Sequence, residues 1–424
     1  MTRKTILFIV FIMTVGNVFS QEHITKEKEI YIPNDLKDND FTDDNSEWSY
    51  SRMALTDNIV VFWQKGFGHD LSNPPQLEGT DMSVDLDNLL EKLEYFYSFY
   101  KDELNFVLPD SKSYKYRMMV MLNYSLEGTA YGGDYDGVIG ALWIAPNRVK
   151  DKTLNCIAHE LGHSFQSQVI ADGEGEAWGG GGIFEMTSQW MLWNVNPNWV
   201  TDENYHWKEF IKHFNKRFLD KENIYHSPYV LEYWSYKHGL TVMGKLFRAG
   251  KRGEDPVMTY MRMFNLNLDQ MADEMYDCYS RLLTFDFPRV KDTHKKYACE
   301  LLTKVDRQSN GRHTLIRPAE GKFPGTYGFN IIELPLTGKQ TLEFKGVNEE
   351  NIGYRYGIVL VDGDNNPTYL PVNKETHKII KFKPNATTKR AFLVVVGCPT
   401  TKYNPYMWPN DDTLELEYRY EVKI

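Results

Sequence analysis

Two histidines four residues apart, with a glutamate directly after the first, form the segment His159-Glu160-Leu161-Gly162-His163, and this is where the chain concentrates residues able to do chemistry. On a helix, positions four apart lie about 40° apart around the axis, so both imidazoles can face one point while Glu160 stands beside it. Neutral imidazole suits Zn²⁺. A carboxylate next to the first ligand can take a proton from metal-bound water and pass it to a leaving amine. The flanks agree with a helix crossing a core, since Leu154, Ile157, Ala158, Leu161 and Phe165 supply an apolar surface.

Catalytic zinc has three protein ligands and one open position, so a further ligand must lie downstream. A histidine six places after His163 would complete one well-known pattern, but Val169 stands there. Glu174, Glu176 and Glu185 remain. The first two lie in a glycine-rich turn, Asp172 to Trp178, which favours carboxylates in solvent. Glu185 opens a segment, Phe184 to Trp193, whose apolar spacing predicts a helix, and Gly179 to Gly182 before it lets the chain turn back. Glu185 is the expected third ligand, with Glu174 and Glu176 as the alternatives. A tetrahedral oxyanion also needs an electrophilic partner. The segment Tyr225 to Trp234 offers His226 or Tyr229 for that role, against the plainer reading of His226 as a surface or capping residue. His69, His206, His213 and His238 have no comparable context and read as core or surface histidines.

The segment His159 to Gln166 resembles the gluzincins, thermolysin-like zinc metallopeptidases in which H-E-x-x-H on one helix is completed by Glu on the next, and within them the enhancin-like, mucin-targeting peptidases. From about Asp57 to Trp234 the chain resembles a little-characterised family of secreted bacterial zincin-like proteins with a C-terminal β-domain. The resemblance implies a zinc metallopeptidase with His159, His163 and Glu185 as ligands and Glu160 as general base. It also implies a substrate-pairing strand before the metal helix, for which Gly140 to Trp143 is the matching position; a buried supporting strand is the alternative. One departure stands out. Many gluzincins carry an acidic residue four places after the ligand Glu to orient a zinc histidine, and here that residue is Gln189.

These residues need elements to hold them. Ile59 to Trp63 reads as a buried strand, and Ser83 is placed to cap a helix carrying Leu86, Leu89, Leu90, Leu93, Phe96, Tyr97 and Tyr100. Tyr114 to Asn123 and Ala141 to Ile144 read as strands, and helical patterns dominate from 153 to 302. After about residue 305 short strands alternate with Gly, Pro and Asn turns, and Leu414 to Ile424 alternates apolar with charged residues, the period of a half-buried strand. The expected architecture is α+β: a zincin-like metallopeptidase domain over 51–305, followed by an all-β sandwich over 306–424. Aromatic residues in Tyr403 to Trp408 either offer a stacking surface or close that sandwich.

Arg3 and Lys4, the apolar run Thr5 to Val15 and Val18-Phe19-Ser20 read as a signal peptide over 1–20, followed by a polar leader over 21–50 that wraps the next domain or stays mobile. Export is the expectation, to a secreted, periplasmic or cell-surface location, with no stable membrane insertion after cleavage. A net charge of −10 and the lack of a long basic run argue against a nucleic-acid partner. Cys156, Cys278, Cys299 and Cys398 have no C-x-x-C spacing; a Cys278–Cys299 bridge and buried free thiols are both open. The expected partner is an extracellular protein, peptide or glycoprotein substrate, hydrolysed with Zn²⁺ as cofactor. Two other readings use the same residues: a glycan- or protein-binding protein whose metal is structural, and an amidase acting on non-peptide amides.

Overall fold

The computed structural model of the chain describes residues 27–424 except 174, 176, 177, 179–181, 310, 337 and 408–415, so the signal-peptide region, Glu174, Glu176 and Trp408 lie outside the described residues. The fold is α+β. Five strands come first: β1 (Met53–Leu55), β2 (Ile59–Trp63), β3 (Met118–Leu122), β4 (Ala130–Tyr135) and β5 (Ile139–Ile144). They form one sheet in the order β1-β2-β3-β5-β4. Strands β2, β3 and β5 run parallel, whereas β1 and β4 pair antiparallel at the edges. The central strands Ile59–Trp63 and Met118–Leu122 are buried at every position, which is why they read as continuous apolar runs without alternation.

Helices α1 (Leu86–Ser98), α2 (Lys112–Lys115), α3 (Asn155–Ala171), α4 (Gly182–Val195), α5 (Trp199–Asp202), α6 (Tyr205–His213), α7 (Tyr229–His238), α8 (Val242–Ala249), α9 (Pro256–Met263) and α10 (Leu268–Leu282) build the other layer. The cap of α1 is Asp85, whose side chain accepts from the Asn88 N–H, while Ser83 donates its hydroxyl to Asp81. The same face of the sheet receives α1 and α3 through Leu93, Tyr97, Tyr100, Ile157, Leu161 and Phe165. Its opposite face is covered by the supposed polar leader: Ile30, Tyr31, Ile32, Leu36, Phe41 and Trp48 pack with Val60, Phe62, Met119 and Met121. Residues 27–50 therefore wrap the sheet, burying most of their few apolar side chains against it.

The remaining strands are β6 (Val305–Ser309), β7 (Thr314–Pro318), β8 (Phe329–Leu334), β9 (Gln340–Gly346), β10 (Gly353–Asp362), β11 (Pro367–Tyr369), β12 (His377–Phe382), β13 (Thr388–Cys398) and β14 (Tyr420–Lys423). They make two antiparallel sheets, β11-β10-β13-β8 and β12-β9-β14-β7-β6, facing one another as a sandwich. The alternation expected near the C-terminus is present from Tyr418 on, with Tyr418, Tyr420 and Val422 buried inside; Leu414 and Glu415 lie outside the described residues. The outer face of the four-stranded sheet is not solvated. Phe329, Ile331, Val359, Val361, Phe392, Val394 and Val396 join the same core as the helices, and Tyr403, in the predicted aromatic loop, donates to the buried Asp255. A chain cut near Lys304 would expose this face to water. All four cysteines are free thiols, Cys278, Cys299 and Cys398 buried.

Candidate metal centre

Helix α3 runs directly behind the sheet and is held there by specific polar contacts as well as apolar ones. The Ser164 hydroxyl donates to the Ala141 carbonyl of β5 at 2.6 Å, and the Tyr100 hydroxyl donates to the Ala158 carbonyl at 3.0 Å. On its other side α4 approaches closely at Gly162, where an added Cβ would lie 2.8 Å from Ser188 Oγ and 3.2 Å from Ser188 Cα. Glycine between the two histidines is thus what lets the helix bearing Glu185 come near enough to reach them.

At that crossing three atoms converge. His159 Nε2 and His163 Nε2 are 3.1 Å apart, and Glu185 Oε2 lies 3.1 Å from the first and 3.2 Å from the second. Among the described residues this is the one such grouping of His, Cys, Asp and Glu side chains. The donor set suits a metal ion: ligands about 2.0–2.1 Å from a tetrahedral ion stand roughly 3.3 Å from one another. The outer imidazole nitrogens support the same assignment. His163 Nδ1 lies 3.0 Å from Gln166 Oε1, and the Gln166 amide is oriented by donating to the Phe184 carbonyl at 2.9 Å. His163 therefore donates from Nδ1 and turns the Nε2 lone pair inward. His159 Nδ1 is buried without a partner.

Glu160 sits on the sheet side. Its Oε2 accepts the Gly132 N–H of β4 at 3.2 Å. A Cβ on Gly132 would fall 1.8 Å from the Glu160 carbonyl oxygen, so the strand can lie this close only as glycine. Burial raises the Glu160 carboxyl above its ordinary range and the nearby Glu185 adds to this, against the two imidazoles and the Gly132 N–H. Burial also pushes Glu185 up, but the hydrogen bonds and charges of His159 and His163 outweigh it and hold Glu185 well below the usual carboxylate range. The result is two adjacent carboxyl groups driven apart, the pattern expected of a proton carrier beside a ligand.

His226 and Tyr229, the expected electrophiles, are engaged away from the three converging atoms. Tyr229 begins α7 inside the aromatic core, its ring 5.7 Å from that of Trp193, 5.6 Å from Trp207 and 4.7 Å from Phe210, with its hydroxyl buried and unpartnered. His226 places Nδ1 2.6 Å from Nδ1 of His206 rather than at the cluster. Tyr225 is the residue that reaches it. Its ring centroid lies 6.3 Å from that of His159 with an interplanar angle of 25°, and the Glu185 carboxylate is near enough to act on its hydroxyl. Burial and then the Glu185 charge raise its pKa, so the phenol stays protonated and able to donate. Adjacency was the available signal, since Tyr225 opens the segment that holds both expected residues.

Of the two readings of Gly140 to Trp143, the structure has the buried supporting strand. Gly140 to Trp143 belong to β5, which is paired on both sides; the edge beyond it is β4, the strand that touches Glu160. The glycines and tyrosines of Ala130–Tyr135 lack the apolar alternation that marks a strand in sequence.

Among solved structures the chain is similar to a ZmpB metallopeptidase from Clostridium perfringens, at 15% identity over 82% of this chain and 66% of that chain, with a TM-score of 0.31. It is also similar to the M60 catalytic domain of Clostridium perfringens ZmpC in complex with the sialyl T antigen, at 16% identity over 82% of this chain and 67% of that one, TM-score 0.31. A third is the M60 catalytic domain with two CBM51 domains from Clostridium perfringens ZmpB, at 12% identity over 89% of this chain and 59% of that one, TM-score 0.30. The chain thus spans about two thirds or less of the length of these structures. No curated protein matches it. The model of one family, described as a family of unknown function (DUF6055), matches residues 22–424, and the chain belongs to that family.

Proposed function

We propose that this protein is an exported zinc-dependent peptidase acting on extracellular proteins or glycoproteins, with residues 1–20 removed on export. The observation that carries the reading is the convergence of His159 Nε2, His163 Nε2 and Glu185 Oε2 within 3.1–3.2 Å of one another, beside a carboxyl group whose proton affinity is raised. His159, His163 and Glu185 would hold the ion. When bound, zinc supplies a Lewis acid for the scissile carbonyl and lowers the pKa of the attacking water. The protein's own groups do the rest. Glu160, steadied by the Gly132 N–H, takes the proton from the water and returns it to the departing nitrogen. Tyr225, protonated and facing His159 and Glu185, donates to the oxygen that gains charge. The edge strand β4 can align an extended peptide by strand addition, bringing its carbonyl past Glu160.

Among the described residues no helix is long and apolar enough to cross a membrane. The test is digestion of casein and of mucin by the purified protein as isolated, after zinc removal by chelation, and after zinc is restored. Cleavage that disappears and returns with zinc supports the proposal. Zinc bound at one per chain with neither substrate cleaved sinks it in favour of a binding protein.

A further inference from the structure

A cavity of about 450 Å³ lies where β2 and β3 begin, and none of the residues lining it belongs to the metal centre. The leader forms one wall: the Glu29 N–H donates to the Lys115 carbonyl at 3.1 Å, and the Arg117 N–H donates to the Glu29 carbonyl at 2.9 Å. The volume is that of a small-molecule site. Lys28, Lys101, Lys115 and Arg117 all line it. Two of these cations are already matched. The Arg117 guanidinium donates to the Thr56 and Lys28 carbonyls and pairs with Glu27 at 3.1 Å, and Lys115 pairs with Glu29 at 3.2 Å.

Lys28 and Lys101 stand differently. The Lys28 ammonium donates to the Tyr97 hydroxyl at 2.9 Å and makes no ion pair among the described residues. Burial raises the pKa of that phenol and keeps it neutral, so it accepts the hydrogen bond without cancelling the charge. Lys101 pairs with the adjacent Asp102 at 3.4 Å, a carboxylate whose side chain is 61% exposed. Both ammonium groups reach the ring of Tyr114, Lys28 at 5.4 Å and Lys101 at 6.0 Å from its centroid. Glu94 is engaged elsewhere, by the Asn58 N–H at 3.1 Å, the Asn58 side-chain amide and the Ser98 hydroxyl. Asp57, on the cavity wall, is exposed and bonded to neither amine. Burial and then Lys101 bring the Lys28 amine down to about 8, with Arg117 acting alongside them and Glu94 and Asp102 acting against. Packing at position 28 would be served by an apolar side chain. An enclosed ammonium beside a second one is costly unless a negative charge joins them.

We infer that this cavity is a binding site for a small organic anion, whose carboxylate or phosphate oxygens lie between the Lys28 and Lys101 ammonium groups while its body rests against Tyr114. Lysine ammonium groups bind such oxygens as point charges, and two of them on one aromatic ring leave the anion a charged end and an apolar floor. The site stands apart from the peptidase reading and does not depend on it.

The experiment follows the lysine Cε resonances of the full chain against pH in chloride, acetate or inorganic phosphate at equal ionic strength, with Lys28 assigned by the signal lost in Lys28→Met. In chloride its midpoint is expected near 8. Acetate or phosphate is expected to raise it by about one pH unit, a tenfold preference of the anion for the charged amine. A rise with acetate alone identifies a carboxylate ligand, a rise with phosphate alone a phosphate ligand, and either supports the inference. Lys101→Met is expected to weaken the anion at least about tenfold and so to abolish most of the rise. A midpoint that acetate and phosphate leave where chloride does, or a rise that Lys101→Met leaves unchanged, overturns the inference. If Lys28→Met does not fold, Lys28→Arg supplies the assignment.

Discussion

Replacing Gly162 with alanine tests whether close packing of α3 on α4 builds the metal centre. The new Cβ would lie 2.8 Å from Ser188 Oγ and 3.2 Å from both Cα and Cβ of Ser188. The hydroxyl can rotate away, but Cα cannot. Ordinary carbon contacts are about 3.5–4.0 Å, so α4 must retreat by roughly 0.5 Å. Glu185 lies one turn before Ser188 and moves with it, and metal–ligand bonds tolerate only about 0.2 Å. Gly162→Ala is therefore expected to weaken zinc at least about tenfold and to cost about 1–3 kcal/mol of stability from overpacking. Chelator competition and thermal melting measure the two effects. Adding Ser188→Gly removes two of the three close atoms and should recover part of both. Unchanged zinc affinity in a Gly162→Ala protein of unchanged melting temperature would refute the reasoning, since the helices would then have room to spare.

Three further outcomes follow from the same geometry. Gly132→Ala forces a strand off the Glu160 carbonyl, from which its Cβ would be 1.8 Å, and should lose most turnover while zinc stays bound; loss of zinc would show that β4 supports the ligands instead. Tyr225→Phe should retain zinc and lower kcat by about 10²-fold with a smaller change in KM, as removal of an oxyanion donor does, and an unchanged kcat would remove Tyr225 from the chemistry. His226 and His294 are held down to about 4, mainly by burial, against an ordinary value of 6.5. Their folded forms bind protons less readily than the unfolded chain, so the stability they permit is complete above pH 6.5 and is lost as pH falls towards 4. Melting temperatures across that window should fall on acidification, and less steeply in His226→Phe; a flat profile would count against the burial of both.

How much of this was legible in the sequence depends on whether the information is local. The H-E-x-x-H spacing is a statement about one helix, and His159 and His163 do face the same point. Glu185 was reachable because a glycine run followed by apolar helical spacing constrains where the next helix can go. Glu174 and Glu176 lie outside the described residues. Asp85 instead of Ser83 as the cap of α1 is an ordinary two-residue error at a helix end. The larger misses concern partners that no local pattern encodes. Strand order decided between the two readings of Gly140 to Trp143, placing β5 inside the sheet and β4 at its edge, and the chain turn before α7 put Tyr225 rather than Tyr229 beside His159. His206 looked like a core histidine and is buried, but what it touches comes from a helix 17 residues earlier in the chain. The apolar residues of 27–50 were visible, yet nothing in a polar stretch says which sheet face it will cover.

The account rests most heavily on Glu160 as the proton carrier at a filled His159, His163 and Glu185 site, and one comparison reaches it directly: zinc content and peptide hydrolysis measured on the same preparations of wild type and Glu160→Gln. The substitution keeps the side chain's shape and its contact with the Gly132 N–H while removing the basic oxygen. The account predicts one zinc per chain in both proteins and hydrolysis in wild type alone. Hydrolysis that persists in Glu160→Gln with zinc bound, or a wild type that cleaves peptides with no zinc bound, would contradict it.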